Sequence, residues 1–406
     1  MPSMKLMPDR RIVPALMFHS VGLHDHDWPW PELAEPPASF ERKMALFKRK
    51  GFSTVFWRDL QAYMDGRRSL PPRSILLTFD DGYLDNWVFA YPILKRIGFK
   101  ATIFVNPDFV DPAPEPRPTL EDVWNGRCRL QDLQVAGFLS WAEMREMEAS
   151  GLVDIQSHAL THTWYFAGPR IVDFHAPETA RRHPWLSWNA RPERKPYYLS
   201  EDQSSFVPWG YPVLEHEKSL TVRRFLPDET AMDLFPAYVR ERGGEAFLRH
   251  PEWRRELFGY ARTKLAGKGM PGEYETEEAR RERIRHELVA SKQALETHLG
   301  KQVDYICWPG GGNDPLVRAL AAEVGYKAWT YGSREALDAR NLPGSASHAI
   351  KRIGTSNRIE LAGRLVGTGG AYYQLMRVLA HQRSAWWSAL LRLYKALAAT
   401  RLVGAS

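Results

Sequence analysis

The stretch ILLTFDDGYLDN (residues 75–86) decides how the chain is organised. It begins with a run of apolar and β-branched residues, and such a run is typical of a parallel sheet covered on both faces. The run ends on two adjacent carboxylates, Asp80 and Asp81, followed by Gly82. Adjacent carboxylates disfavour each other's ionised form. Two interpretations are open: a surface Asp-Asp-Gly turn, or a site where a cation offsets the repulsion.

Strand and helix patterns alternate on both sides of this stretch. The predicted strands cover residues 12–20, 74–79, 100–105, 152–158, 303–309, 326–331 and 348–354. The predicted helices cover residues 39–51, 83–98, 140–151, 276–300 and 313–325. Ser39 is expected to cap the first helix, and Ser140 forms a capping box with Glu143. This order predicts an α/β fold in which βα units surround a parallel sheet or barrel.

The alternation stops over residues 163–275, which are rich in Pro, Trp, Tyr, Arg and His and show little period. A structureless loop of this length is improbable in a compact domain, so we predict an insertion folded over one face. Four of its tryptophans either line a sugar groove or form the insertion's own core; they are Trp164, Trp185, Trp188 and Trp209. Its histidines are interpreted as surface residues; they are His175, His183, His216 and His250.

Composition narrows the functional classes. The 406 residues carry a net charge of +7, which suits an acidic partner such as an anionic membrane or a phosphorylated sugar. Two cysteines form no disulfide framework. No nucleic-acid-binding motif is present, and no apolar run reaches the ~18 residues of a membrane span. The first residues lack the apolar region of a secretory signal, so the sequence-based expectation is a cytoplasmic protein.

Side chains that can act in catalysis or bind a metal lie at or just after the ends of three predicted strands. They are His19, then Asp80 and Asp81, then His158 and His162. Ligands bind at the carboxyl ends of strands in parallel sheets and barrels, so these residues are expected to converge. The two histidines in SHALTH are four apart, and on one helical turn their rings would face the same way. Two imidazoles and a carboxylate form a three-ligand site typical of catalytic zinc. The combined pattern favours the cation over the surface turn.

These motifs resemble the polysaccharide deacetylases of carbohydrate esterase family 4. The resemblance is greater still to the deacetylase domain of bacterial poly-β-1,6-N-acetylglucosamine de-N-acetylases. It rests on MFHSV, LTFDDGY followed by YPIL, SWAEMRE leading to VDIQSH, RERIRHELVASKQAL, YICWPGGGN and IKRIG. It extends over about residues 13–358, apart from the insertion.

The resemblance implies a distorted (β/α) barrel that removes acetyl groups from N-acetylhexosamine units with the help of one divalent metal ion. Zinc is the first choice, with Co²⁺, Ni²⁺ or Fe²⁺ as alternatives. Asp81, His158 and His162 match the metal ligands, and Asp80 matches the general base. The WPGG motif matches a wall of the active-site groove, which assigns substrate binding to Trp308, Pro309 and Gly310.

The sequence departs from the family at two places. Cys307 stands where the wider family has an arginine that pairs with the base, and Arg352 is the substitute that we expect. The late Leu-x-His that supplies the general acid is not evident, since His348 and His381 lie in unlike contexts. His19 matches a histidine of the poly-N-acetylglucosamine subgroup and is the candidate acid.

Other functions remain open at this point. A glycosidase with two carboxylates needs them roughly 5 to 9.5 Å apart, across the scissile bond, and would leave the histidine pair unexplained. The same chemistry could act on another amide or ester, such as a formyl or acetyl group on a lipid-linked sugar or an O-acetyl ester. A third alternative is a non-catalytic glycan-binding protein on the same fold.

The expected division of the chain is a catalytic domain over residues 1–360 and a basic, amphipathic helical tail over residues 361–406. No Asp or Glu follows Glu360, and six basic residues lie among tryptophans, tyrosines and leucines. Such a composition is typical of a helix on an anionic bilayer, although a helix packed on the barrel is the alternative. We therefore expect a glycan or a lipid-linked or nucleotide-linked amino sugar as substrate, met at the inner face of the cytoplasmic membrane.

Overall fold

The computed structural model describes residues 11–23, 30–332, 335–356, 358–361, 364–367, 370–382 and 385–403. Its strands are β1 (Ala15–Phe18), β2 (Ser53–Val55), β3 (Ser74–Phe79), β4 (Ala101–Val105), β5 (Val153–Ser157), β6 (Trp164–Phe174), β7 (Pro212–Lys218), β8 (Phe225–Pro227), β9 (Gly272–Tyr274), β10 (Tyr305–Ile306), β11 (Ala328–Thr330), β12 (Ala349–Ile350), β13 (Arg352–Gly354), β14 (Arg358–Leu361) and β15 (Arg364–Gly367). Its α-helices are α1 (Pro37–Arg49), α2 (Trp57–Met64), α3 (Tyr91–Ile97), α4 (Leu120–Trp124), α5 (Trp141–Ala149), α6 (Trp185–Ala190), α7 (Glu229–Glu241), α8 (Glu245–Leu248), α9 (Trp253–Lys264), α10 (Glu277–Leu299), α11 (Pro315–Val324), α12 (Ala371–His381) and α13 (Ala385–Val403).

The main sheet is a nearly closed parallel barrel. Its strands follow the order β12-β11-β10-β5-β4-β3-β1-β13, and β2 adds to the first half of β3. The two ends of this path, β12 and β13, are separated in the chain by Lys351 alone. Because β12 pairs with β11 and β13 pairs with β1, this one segment joins both ends of the sheet. The predicted (β/α) barrel is confirmed.

Local sequence signals explain most of the barrel elements. All six residues of β3 are buried, as its unbroken apolar run predicts. The capping box at α5 forms: Oγ of Ser140 accepts from the Glu143 backbone, and Oε2 of Glu143 accepts from the Ser140 backbone. At α1 the N-cap is Pro36 instead of Ser39, because Pro37 at the first turn already fits the helix. The helix predicted over residues 83–98 begins with a π-helical turn, Asn86–Ala90, before α3.

The interior of the barrel is filled below the carboxyl ends of its strands. Alternate residues point inward along each strand, and a buried apolar cluster joins Ala15, Leu76, Phe104 and Ile350 with the ring of Trp57. The larger core lies outside the sheet, between its outer face and the surrounding helices. The polar side chains that follow the strands therefore lie above this apolar floor, at the carboxyl ends.

The insertion has regular structure of its own. β6 and β7 form an antiparallel hairpin, β8 pairs with β9, and α6 to α9 lie between these strands. One apolar cluster belongs to the insertion alone and centres on Phe174, Phe235 and Leu257. A second cluster joins Trp185 and Trp188 to barrel residues. The insertion is thus a folded unit that packs on the barrel's carboxyl-terminal end.

The C-terminal helices differ from a single surface tail. α12 contributes Leu375 and Val378 to the main core and packs against α1. Gln382, after α12, reaches the backbone of Ile12 at the start of the barrel. α13 then packs against α12, where the rings of Tyr373 and Tyr394 lie 5.4 Å apart. Among the helices of the described ranges, none is long and apolar enough to cross a membrane.

Candidate functional site

A pocket of about 420 Å³ opens at the carboxyl ends of the strands. The strands around the barrel, apart from the short β2, place residues in or beside its wall. These residues are His19 after β1, Asp80 and Asp81 after β3, Asn106 after β4, His158 after β5, Trp308 after β10, Thr330 at the end of β11, Lys351 between β12 and β13, and Arg352 at the start of β13. The parallel topology therefore brings together the residues that the sequence places far apart.

Asp81 lies between the two histidines. Its Oδ1 is 3.1 Å from Nε2 of His158 and 3.2 Å from Nε2 of His162. Asp81 and Gly82 both have positive φ, 72° and 70°, and this turn directs Asp81 away from the barrel interior that Asp80 faces. Burial opposes ionisation of Asp81, but the two imidazoles hold its pKa well below the usual value.

The histidine pair does not lie on a helical turn, and that prediction is wrong. After β5 the chain forms an irregular loop in which Ala159 and His162 both have positive φ, 59° and 41°. The side chain of Asn106 donates to the backbone carbonyl of His158 and holds the loop. The loop geometry, rather than helical spacing, turns both Nε2 atoms toward Asp81.

The tautomer of His158 follows from its other ring nitrogen. Nδ1 lies 2.8 Å from the backbone carbonyl of Cys307, which can only accept a hydrogen bond. Nδ1 therefore carries a proton, which leaves Nε2 as the ring nitrogen that faces Asp81 and would bind a metal ion. A backbone carbonyl on the second ring nitrogen is the usual support of a metal-binding histidine.

The donor set of Asp81, His158 and His162 fits a divalent ion. Their ligand atoms all lie within 4.8 Å of one another, and two imidazoles with one carboxylate suit zinc-like ions. Among the described residues a second group also meets this distance, formed by Asp80, His158 and Cys307. It is the poorer candidate, because the Arg352 guanidinium contacts both Asp80 and the Cys307 sulfur and would repel a cation.

Arg352 is the partner of Asp80, as the sequence led us to expect. Its guanidinium donates from Nη1 to Oδ1 at 2.6 Å and from Nη2 to Oδ2 at 2.8 Å. The same Nη2 lies 3.0 Å from Sγ of Cys307, which in turn is 3.5 Å from Asp80. Burial alone would raise the pKa of Asp80, but the Arg352 guanidinium lowers it below its usual value. Asp80 is thus ionised although it is only 3% exposed.

His19 lies at the opposite side of Asp80, with Nε2 3.8 Å from Oδ2. Burial lowers the pKa of His19, although Asp80 and Asp81 favour its protonated form. The backbone carbonyl of His19 accepts from the side chain of Asn86 at 2.9 Å. No histidine other than His19, His158 and His162 lines this pocket in the part of the chain that the structure describes.

Two supporting residues were not predicted, Asp85 and Asn86. Asp85 is fully buried and accepts from Oγ of Ser20 at 2.5 Å and from the backbone of Leu23 at 3.2 Å. Burial raises its pKa to about 6 despite these hydrogen bonds. Asp85 and Asn86 thus fix the loop that carries His19. The sequence feature that could have identified them is the presence of two polar residues, Asp85 and Asn86, at positions where the predicted helix over residues 83–98 would be buried.

The WPGG motif is only partly in the pocket wall. Trp308, Gly310 and Gly311 line the pocket, while Pro309 is buried outside its lining, so no contact supports the predicted substrate role of Pro309. Gly310 has a φ of 53°, and a Cβ there would lie 2.7 Å from Cε of Lys218. Glycine therefore allows the insertion to approach this loop closely.

The insertion supplies aromatic rings to the pocket. Trp164, Trp188 and Tyr198 line it, whereas Trp209 packs on the insertion's own core and Trp185 lies between the insertion and the barrel, so both interpretations of the tryptophans hold in part. The surface interpretation of the histidines is wrong for His175, which is 1% exposed and stacks on Trp209. The other three are partly buried or exposed; they are His183, His216 and His250.

Comparison with known proteins agrees with this geometry. The model of the polysaccharide deacetylase family matches residues 67–186 and 263–329. The unmatched segment between them, residues 187–262, lies within the insertion. The chain therefore contains a polysaccharide deacetylase domain, and its barrel carries the family's sequence features.

Particular relatives match shorter parts. YxkH of Bacillus subtilis, named for polysaccharide deacetylation, is 34% identical over 93 residues, which are 23% of this chain and 31% of that protein. The poly-β-1,6-N-acetyl-D-glucosamine N-deacetylase of Escherichia coli K12 is 26% identical over 127 residues, which are 31% of this chain and 17% of that enzyme. The chain thus matches less than a third of the length of either relative.

Solved structures show the same fold. The BpsB deacetylase domain from Bordetella bronchiseptica has a TM-score of 0.50 at 21% identity, covering 86% of this chain and 97% of that domain. A de-N-acetylase from Aggregatibacter actinomycetemcomitans has a TM-score of 0.51 at 16% identity, covering 87% of this chain and 98% of that one. The barrel is therefore a fold already seen among deacetylases.

Proposed function

We propose that this protein is a metal-dependent hydrolase that removes the N-acetyl group from N-acetylhexosamine units of a glycan or glycan precursor and releases acetate. The observation that carries the proposal is the convergence of Asp81, His158 and His162 beside an ionised Asp80, in one pocket at the strand ends. The deacetylase domain supports the reaction class. The name of the Escherichia coli relative supports the substrate class.

The pocket wall also favours a sugar. Rings of Trp30, Trp164, Trp188, Tyr198 and Trp308 surround the polar groups. Apolar walls with a few convergent polar groups are typical of small-ligand sites. A pyranose ring has apolar faces that such rings can contact, while its hydroxyl and acetamido groups need the polar side chains at the base of the pocket.

Asp81, His158 and His162 would hold the metal ion. When bound, a divalent ion supplies Lewis-acid polarisation of the substrate carbonyl and of the attacking water. The protein contributes the orientation of the ligands: the Cys307 carbonyl fixes the His158 tautomer, and the left-handed turn at Asp81 fixes the carboxylate. Zinc is the first choice for this donor set.

Asp80 acts as the general base. It takes one proton from the water whose oxygen forms the new bond to the acetyl carbon. The two hydrogen bonds from Arg352 keep the carboxylate ionised and fixed in orientation before the reaction. Since Asp80 is almost fully buried, bulk water does not weaken this interaction.

His19 acts as the general acid. The leaving amine needs a proton as the carbon–nitrogen bond breaks, and the proton that Asp80 has taken is the nearest source. Nε2 of His19 is 3.8 Å from Asp80, which is longer than a hydrogen bond, so the proton reaches the ring through one bridging water or after this gap closes, and the ring then donates it to the amine nitrogen. Asp80 and His19 return to their starting states, the acetic acid gives its remaining proton to the free amine or to solvent, and acetate and an amino sugar leave.

The test combines metal analysis with acetate release. The purified protein should contain about one equivalent of divalent metal and release acetate from N-acetylglucosamine oligomers, and stripping the metal with a chelator should abolish this activity. β-1,6-linked and β-1,4-linked oligomers should be compared with O-acetylated sugars. Release from the O-acetyl esters alone would replace the amidase with an esterase, and no release from any acceptor by the metal-loaded protein would favour a binding protein.

A further inference from the structure

The loop between the two candidate histidine ligands is held through Thr161, the residue before His162. The backbone N–H of Thr161 donates to Oε1 of Glu287 at 2.9 Å, and its hydroxyl donates to the same oxygen at 2.7 Å. Glu287 projects from α10 and is 5% exposed. The barrel therefore fixes both donors of Thr161 from one side.

The insertion holds the same residue from the other side. Nζ of Lys195 donates to the backbone carbonyl of Thr161 at 3.0 Å and forms an ion pair with Asp108 at 2.8 Å. Lys195 is 2% exposed, and its ammonium lies 5.4 Å from the ring centre of Phe109. A buried ammonium is costly unless charges and hydrogen bonds compensate it, so this contact is well defined in the folded protein.

We propose that Lys195 is a positioning residue for the metal ligand His162, acting through Thr161, so that the insertion sets the metal affinity of the barrel site. This inference rests on the proposed metal-dependent function. Thr161 and His162 lie in a segment that the family model matches, whereas Lys195 lies in the unmatched residues 187–262. The chain thus uses a residue of its own insertion to support a ligand of the common site.

The backbone of His162 explains why support is needed. Its φ of 41° is a left-handed conformation, which costs on the order of 1–3 kcal/mol for a residue other than glycine and persists only when its surroundings impose it. Glu287 and Lys195 impose it by fixing the backbone of the preceding residue, Thr161, at its N–H and at its carbonyl. Without Lys195, the carbonyl of Thr161 is free to rotate and Nε2 of His162 leaves its place beside Asp81.

The experiment measures zinc affinity directly. Metal-free wild type, Lys195→Met and Thr161→Val are titrated with Zn²⁺ in competition with a chromophoric chelator. Lys268→Met is the matched control, because Lys268 is an exposed lysine of the insertion. Loss of a residue that supports a metal ligand without itself binding the metal typically weakens metal binding by about 10–100-fold. We expect that loss for Lys195→Met, about 10-fold for Thr161→Val, and no more than about twofold for Lys268→Met.

A second readout separates positioning from general stability. The Co²⁺-loaded Lys195→Met variant should show an altered visible absorption spectrum, since the geometry of the ligands changes, while thermal unfolding of the metal-free form should remain cooperative. Wild-type zinc affinity in Lys195→Met would overturn the proposal. If that variant does not fold, Lys195→Gln decides, because it keeps a polar side chain beside Asp108 but removes the ammonium that donates to the Thr161 carbonyl; Thr161→Val tests the Glu287 side of the support. Absence of Zn²⁺, Co²⁺, Ni²⁺ and Fe²⁺ binding in the wild type would instead reject the metal-dependent function itself.

Discussion

Two regions of the molecule wall the same pocket, and they are built by different means. The barrel places charged and imidazole side chains at the ends of its strands, where Asp80 and His158 are 3% and 2% exposed. The insertion places rings there, and these rise from an antiparallel hairpin and short helices with a core of their own. The barrel side is fixed by hydrogen bonds and ion pairs; the insertion side is fixed by ring packing.

The difference separates the expected roles of the two regions. Bond breaking needs groups held to a fraction of an ångström, and parallel strand ends with buried polar partners provide this. Selection of a sugar needs contact area, which rings in an irregular segment can provide and vary. We therefore expect barrel substitutions to change turnover and metal content, and insertion rings to change substrate affinity. Lys195 is an exception, since this insertion residue donates a hydrogen bond to the loop that carries His162.

The largest effect is expected for His158→Ala. This change removes one imidazole of the donor set together with its hydrogen bond to Cys307, so bound metal and activity should be lost together. Elemental analysis and acetate release measure the two quantities. His216→Ala is the control, because His216 is a half-buried histidine of the insertion outside the candidate metal groups of the described residues. A full equivalent of metal in His158→Ala would contradict this ligand set.

Asp80→Asn should separate the base from the ligands. The amide has nearly the shape of the acid but cannot take a proton, so turnover should fall by roughly 10²-fold or more. Metal content should remain near the wild-type level, because Asp81 and both histidines are unchanged. Retention of wild-type turnover would assign the base to another residue, and loss of the metal would place Asp80 among the ligands.

Much of the barrel could be predicted because its signals are local. The fully buried strand β3 and the capping box of α5 are readable in a few residues each. β2 and α2 were not predicted, because β2 has three residues and its sheet pairing is decided by the distant β3. The insertion lacks a long periodic segment, so its hairpin, which pairs Trp164 with Lys218, depends on contacts between distant residues.

The site, like the fold, was predictable where the sequence signal is local and unpredictable where distant contacts decide the conformation. The residues with chemical function could be named because strand ends in a parallel barrel must converge. The conformation of the histidine loop could not be named, because positive φ at Ala159 and His162 is imposed by Asn106, Glu287 and their neighbours, which come from other elements. Spacing alone suggested a helical turn, and tertiary contacts determined otherwise.

A smaller effect tests the insertion's share of the pocket. Tyr198 lines the pocket, whereas its neighbour Tyr197 does not and instead packs under Arg194. Loss of one aromatic contact is worth about 0.5–1.5 kcal/mol, so Tyr198→Ala should raise KM by roughly 3–10-fold with kcat within about twofold. Tyr197→Ala should leave both constants unchanged. A fall in kcat without a change in KM would instead assign Tyr198 to the chemical step.

The smallest effect on catalysis is expected at α13, because none of its residues is among the described residues that line the pocket. The helix exposes Trp386 and Leu393, which are 72% and 56% exposed, with the exposed Arg392 beside them. No acidic residue follows Glu360 in the sequence. This arrangement keeps open the proposal that the helix lies on an anionic bilayer.

The structure sharpens where the chain should be cut to test it. α12 belongs to the main core through Leu375 and Val378, so ending the chain near residue 370 would damage the barrel as well as remove the helix. A chain ending at Gln382 removes α13 and leaves α12 in place.

We expect the 406-residue chain to co-sediment with anionic vesicles at low salt and less so at high salt, because salt screens the attraction. The shortened chain should stay in solution with unchanged kcat on soluble oligomers. Trp386→Ala with Leu393→Ala, which keeps every charge, should reduce co-sedimentation if the apolar residues enter the bilayer. Equal sedimentation of the 406-residue and shortened chains would make α13 a covering of the barrel and favour a soluble substrate.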